Sequence, residues 1–395
     1  MSIKILQMTT GYANTLTGLI PDLYAGLDIV SRELTGFIPS VTRNFSAERA
    51  AVGEPVVYPI SPEIAATDTV PAMTTPEPTD RTVGTGSLTI TKSRNANFWF
   101  VGEEQRGLNN GPGLVTVQAD FFAQAIRTLT NEVEADLAQT AFLGASRAFG
   151  TAATPFQTNT GETAQLKKIL DDNGAQASGR SLVIDTSAGA ELRSLGQLTK
   201  VNEAGTSMTL RDGELLNLNS FSIKESAQVK TPTAGTAASA TTGAAGAAIG
   251  ATSLPTAAVG TGNIIAGDVI TFAGDTNKYV VVTGKTAVGT GTTSIVIAAP
   301  GLRVAHAAST VAITVVATTA RNIAFSQNAI HLIARAPALP NEGDMAMDRI
   351  MMQDDRSGLV FEVALYPGYR KIRAEVALAW GVGVTKTEHV ATLLG

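Results

Sequence analysis

The chain has 395 residues, a net charge of −5 from 29 Lys plus Arg against 34 Asp plus Glu, and no cysteine. That balance excludes a dedicated DNA or RNA binder built on one strongly basic face, and the missing thiols exclude disulfides, cysteine catalysis and Cys-ligated metals. Charged residues are only 16% of the chain, fewer than a freely diffusing protein carries to keep its copies apart, so the composition points to a chain covered by neighbours.

The start, MSIKILQMTTGYANTLTG, has neither a basic segment followed by an apolar h-region nor an apolar run of membrane-spanning length. No signal peptide, anchor or membrane partner is expected. Residues 1–50 read as short amphipathic helical pieces, with Leu23, Leu27, Val30 and Leu34 at helical spacing until Gly36 and Pro39. From Ala51 to Gln105 the character changes. Pro55, Pro59, Pro62, Pro71, Pro76 and Pro78 are expected to keep the first half extended and unable to pair regularly. The second half, SLTITKSRNANFWFVG, alternates as one or two strands. So long an excursion reads either as a flexible loop or, preferably, as a hairpin arm packed on a neighbouring subunit. Phe98, Trp99 and Phe100, with Lys92 and Arg94 beside them, are its expected contacts.

Phe122, Ile126, Leu129, Val133 and Leu137 then draw one apolar stripe down a helix expected over 116–147. Thr116 is its expected N-cap, Gly144 its first breaker, and Asp120, Gln124, Arg127, Asn131, Glu134 and Asp136 its other faces. TAQLKKILDDNGA reads as a short helix, GRSLVIDTS as a buried strand and AGAELRSLGQL as the next helix, the order of an α/β layer. No charged residue occurs between Thr231 and Gly267, and beyond it AGDVITFAG, KYVVVTG, TSIVIAA and STVAITVVA are four apolar runs of a small β-barrel or sandwich. Composition shifts near Gln228 and returns at Arg321, marking an insertion. NIAFSQNAIHLIARAP reads as a strand and a short helix, and GLVFEVALY as a strand turned by Pro367-Gly368. Ile372, Ala374, Val376, Leu378, Trp380, Val382 and Val384 take every even position of a strand over Lys371–Val384. Helix and strand are each about 45 Å long, so they are expected side by side.

No catalytic constellation emerges. Gly284-Lys285-Thr286 lacks the first glycine of a phosphate loop, Tyr279 standing in its place, and reads as a turn. His306, His331 and His389 have no second ligand at metal spacing. Asp185 reads as a helix N-cap rather than a catalytic carboxylate. Asp171-Asp172 and the group Glu342, Asp344, Asp348, Asp354 and Asp355 read as solvated or ion-paired rather than cation-binding. No enzyme activity, cofactor or metal is expected.

The order and length of these parts, together with ANTLTGLIPDLYAGLDIVSRELTGFIPSVTR, the long helix, IAFSQNAIHLIARAP and SGLVFEVALYPGYRKIRAEVALAWGVG, resemble the major capsid (coat) protein of tailed double-stranded DNA bacteriophages. In particular they resemble the short-tailed-phage branch with an inserted β-barrel. The resemblance implies an α+β, tailed-phage major capsid (Hong Kong 97-like) fold. Its parts would be an N-terminal arm (1–50), an extended loop (51–112), a spine helix of the peripheral domain (113–150), an axial domain in two parts (151–228 and 321–357), the inserted β-rich domain (229–320) and a long-stranded sheet (358–395). It implies assembly with itself into hexamers and pentamers of an icosahedral head shell, with scaffolding protein, portal and a decoration protein as partners. The shell would enclose DNA without sequence-specific binding, in a virion assembled in the host cytoplasm. The competing readings are another virion protein (tail tube or head decoration), or an α/β enzyme with an inserted lid and Asp185 at its site.

Overall fold

The computed structural model describes residues 34–60, 82–109, 113–153, 155–196, 217–291, 293–306, 310–354 and 357–395, with isolated positions between. The helix expected around Leu23 to Val30 lies outside them. In chain order come β1 (Thr42–Ala50), β2 (Pro55–Ile60), β3 (Gly84–Thr89), β4 (Lys92–Val101), α1 (Gly102–Asn109) and α2 (Gly113–Leu143). Then follow β5 (Arg147–Gly150), α3 (Gly161–Asp172), β6 (Arg180–Ile184), α4 (Thr186–Ser194) and β7 (Phe221–Glu225). The insertion contributes β8 (Ala240–Thr241), β9 (Ser253–Pro255), β10 (Val269–Phe272), β11 (Lys278–Thr283), β12 (Ser294–Ile297) and β13 (Ala312–Val315). The chain closes with β14 (Arg321–Ser326), β15 (Ile330–Pro337), β16 (Asp348–Gln353), β17 (Val360–Gly368), β18 (Lys371–Val384) and β19 (Val390–Leu394). No described helix is long and apolar enough to cross a membrane.

The first sheet is organised around β18. One edge of that strand carries β4 from Lys371 to Trp380; the other carries β17 up to Ala377 and then β15 from Ala379 to Val384. β16 and β1 lie outside these. The even-numbered side chains Ala374, Val376, Leu378 and Trp380 are buried, as the period-two pattern requires. Against this face lies α2, whose Leu129, Val133 and Leu137 share one core with Val376, Leu378 and Trp380. The two elements run in the same direction. Phe122 packs in the same cluster as Ala374 at one end, and Gly144 meets Val384 at the other, where a Cβ on Gly144 would come within 2.7 Å of the valine. Between those points the helix rises about 33 Å and the strand advances about 33 Å, so each turn of α2 stays over the same part of β18.

The second sheet runs β7-β6-β14-β19-β5 and continues through β11, β10 and β13 into the insertion. In the insertion the pairings go β9-β12-β11-β10-β13-β8, and a bridge from Thr242 to Thr256 joins β8 back to β9, so the ring of pairings closes. Ile270, Tyr279, Val281, Ile295 and Ile297 fill it. The four apolar runs read from the sequence are β10 to β13.

Five local expectations are corrected. Pro55–Ile60 pairs regularly with Gly84–Thr89, from Pro55 opposite Thr89 to Ile60 opposite Gly84. Two-stranded pairing leaves β2 one free edge, and Pro55 and Pro59, four residues apart on one side of the strand, fit an edge that need not donate. Residues 42–50 are a strand parallel to β15 rather than helix. The strand and short helix expected in NIAFSQNAIHLIARAP are strand β14, a single 3-10 turn at Gln327–Ala329 and a second strand, β15, because an apolar run buried on both faces shows no period that separates helix from strand. Thr116 lies inside α2, which begins at Gly113. Pro367 and Gly368 end β17 still paired to Ile372 and Lys371, and the turn falls on Tyr369 and Arg370, the latter at φ 57.

Candidate assembly site

The described residues contain no group of three or more His, Cys, Asp or Glu placed to hold a metal. Asp185 caps α4, accepting from the Ala188 N–H at 3.2 Å. Lys285 is buried and donates to the Thr256 hydroxyl at 2.9 Å and the Gly291 carbonyl at 2.8 Å, which ties a turn to β9. Asp344 accepts from Arg349 and from the Tyr366 hydroxyl, and Asp354 accepts from Ser357. His306 packs edge-on to Phe272 and His331 stacks with Tyr58, so each ring has an apolar or aromatic neighbour. Asp355 lies outside the described residues.

What the described residues do show is three places where segments distant in sequence are fastened to α2 or β18. The first is β4. Its even-numbered residues face α2: Lys92 pairs with Asp136 at 2.8 Å, Arg94 with Glu132 at 3.3 Å, and Phe98 and Phe100 are buried against Phe121 and Phe122. The expectation that Phe98 and Phe100 lend surface to a neighbour meets an obstacle, since this chain's own helix covers both rings. Alternation puts Trp99 on the opposite face, half-buried, with the Lys371 ammonium 5.8 Å from its ring centre. Each exposed ion pair contributes about 0–1 kcal/mol, so the phenylalanines rather than the charges fix β4 to α2.

The second root belongs to the β2–β3 hairpin. Val56, Leu88 and Ile90 pack with Ala50, Ile333 and Ala379 on the face of β18 turned away from α2. Close approach depends on Gly381, where a Cβ would lie 2.2 Å from the Thr89 carbonyl oxygen. The obstacle is backbone and cannot swing aside, so Gly381→Ala should cost about 1–3 kcal/mol and raise protease cleavage within β3 while leaving β17 protected. Equal cleavage in wild type and variant would refute this. Beyond the root, Val57, Ile60 and Val83 are 59%, 49% and 57% exposed.

The third root is residues 36–41. Glu134, in the middle of α2, is fully buried and accepts from three consecutive backbone N–H groups: Gly36 at 2.6 Å, Phe37 at 2.7 Å and Ile38 at 2.9 Å. A fourth donor, the Ser226 hydroxyl at 2.8 Å, comes from the segment leading into the insertion. One carboxylate therefore ties the N-terminal segment and the approach to the insertion to the same turn of the long helix. Burial pushes this carboxyl above its ordinary 4.5, while the four donors pull it down. In the sequence Glu134 reads as one of α2's polar positions, because its donors lie almost a hundred residues away on both sides.

The described residues thus form an α+β body in which a 31-residue helix lies on a 14-residue strand and the β2–β3 hairpin packs on that strand's other face. A chain in the capsid structure of the Cyanophage P-SCSP1u has this fold, at 11% identity and a TM-score of 0.50, the match covering 95% of this chain and 93% of that one. Chains from Mycobacterium phage Che8 (13% identity, TM-score 0.48, covering 95% and 97%) and Gordonia phage Cozz (10%, 0.44, covering 99% and 98%) also match. No protein-family model matches the sequence, and no curated relative does.

Proposed function

We propose that the chain is the major capsid protein of a tailed double-stranded DNA bacteriophage, of the short-tailed branch, that self-assembles into the icosahedral head shell. The observation that supports this most is the shared architecture with a cyanophage capsid chain over nearly the full length of both. On this reading α2 is the spine of the peripheral domain, the β6–α4–β7 layer belongs to the axial domain, the closed ring of residues 229–320 is an inserted small β-barrel, and the β2–β3 hairpin is the loop that clasps a neighbouring subunit. The shell encloses DNA without reading its sequence, which suits a net charge of −5. Scaffolding protein, portal and a decoration protein are its further partners, the virion its location and the host cytoplasm the place of assembly.

Many weak contacts then hold the shell, each subunit gaining from engaging several neighbours at once. Lys92 and Arg94 lie near the hairpin's exit and Trp99 toward the other end of β4 on its opposite face, and on this reading the three take part in such contacts. Electron microscopy of the purified protein and of its expression host tests the reading: closed shells are expected, and a small discrete oligomer would overturn it. A sharper test replaces Val57 and Ile60 together with lysine. Both are exposed, so the melting temperature should hold within the equivalent of about 0.5 kcal/mol, while shell yield falls severely. Normal shells from that variant would remove the hairpin from the assembly mechanism.

A further inference from the structure

Strands β14 and β19 lie side by side in the second sheet, paired from Arg321 opposite Leu394 to Phe325 opposite Val390. Side chains of paired residues share a face, and every second residue along a strand returns to it. Arg321, Ile323, Thr392 and Leu394 therefore stand on one face, where Ile323 and Leu394 belong to the core shared with α2. Arg321 is the first residue after the insertion, and its N–H donates to the carbonyl of Lys230, near the insertion's start, at 2.9 Å.

Arg321 is 2% exposed and Thr392 1%. Among the described residues, no acceptor lies within reach of Nε or of either terminal nitrogen of Arg321, and the Thr392 hydroxyl has no partner. A guanidinium keeps its charge in a protein, so burying one without a partner is costly. Burial holds Arg321 below its ordinary value, and the charge of Asp268 pulls it back up. Asp268 is itself buried, and both its oxygens are engaged: they accept from the Gly235 N–H at 3.0 Å and the Ile265 N–H at 2.8 Å. Thr392 stands diagonally across the strand pair from Arg321, an arrangement that sets Cβ atoms about 7–8 Å apart. Five N–H donors and one hydroxyl thus share a buried face with Ile323 and Leu394, and the described residues offer them no acceptor.

We propose that the Arg321 guanidinium and the Thr392 hydroxyl form a halide site, with chloride as its ligand. A bridging water would accept hydrogen bonds and supply no charge, whereas an anion does both. A halide suits the place better than phosphate or a carboxylate does. Its single charge matches one guanidinium, it accepts from any direction, and it brings no further oxygen atoms that would need donors among apolar side chains. The ligand fastens β14 to β19 at the point where the insertion rejoins the body. The inference does not depend on the shell reading.

The test follows thermal unfolding of the full chain in sodium chloride and in sodium gluconate at equal ionic strength and pH, with chlorine NMR line width as a direct reading of binding. Wild type should melt at least about 2 °C higher in chloride, because only the folded chain has the site, and should broaden the chloride line. Thr392→Val keeps the shape and removes the hydroxyl, so it should raise the chloride concentration for half effect at least about threefold. Arg321→Met should abolish both readings; if that variant does not fold, Thr392→Val alone decides. Equal melting of wild type in the two salts overturns the proposal, as does a chloride response that either variant leaves unchanged. A response that appears only in Asp268→Asn identifies Asp268 as the counterion and overturns it as well.

Discussion

Glu134→Ala is expected to lower stability on the order of 3–5 kcal/mol and to free both segments anchored on α2. Alanine leaves three backbone N–H groups and the Ser226 hydroxyl without an acceptor in a site that is fully buried. Each orphaned buried donor costs about 1–3 kcal/mol, and water entering the vacated space recovers part of the sum. Urea unfolding measures the loss, and limited proteolysis shows whether cleavage near residues 36–41 and 226–229 rises first. A change below about 0.5 kcal/mol would refute the anchoring role.

Glu134→Gln refines the same expectation through pH. Because burial raises the folded-state value above 4.5, the folded protein binds this proton more tightly than the unfolded chain does. The stability so gained is fully present below the unfolded value and is lost as pH rises through the folded one. The advantage of wild type over Glu134→Gln should therefore shrink with rising pH across that window. An advantage that instead grows with pH would mean that the four donors outweigh burial.

Trp380→Ala is expected to cost about 3–5 kcal/mol, the usual range for removing a large buried aromatic side chain. Trp380 has no exposed surface, and its indole N–H donates to Asp136 at 2.9 Å, whose other oxygen holds Lys92 at 2.8 Å. The residue thus joins β18, α2 and β4 at one point. Trp380→Phe keeps most of the ring and drops the hydrogen bond, so its cost should be about 1–2 kcal/mol. A double-mutant cycle with Asp136→Asn should show coupling between the two residues. Additive losses would mean that the indole acts by packing alone.

Much of the architecture is legible in local pattern. The even-position run at 371–384 reads directly as β18, with the bounds the structure has, because a period of two sustained over a whole strand leaves no helical alternative. The stripe from Phe122 to Leu137 reads as a helix for the matching reason, and the loss of charge after Gln228 marks the insertion. Misreadings fall where a residue's surroundings come from far along the chain. The prolines at 55 and 59 look unable to pair until β3 supplies a partner on one side only. The stretch NIAFSQNAIHLIARAP looks like one strand and a short helix until β1 and β18 enclose its second half as strand. Phe98 and Phe100 look like free contact surface until α2 covers them.

Glu134 is the clearest case. One residue at a polar position of an amphipathic helix carries no local sign that Gly36, Phe37, Ile38 and Ser226 will converge on it. Periodicity settles which elements form, since each strand or helix buries its own repeating face. Which carboxylate becomes a buried anchor and which aromatic ring is covered depend on segments brought together across the chain, and those contacts exist only once the helix lies along the sheet.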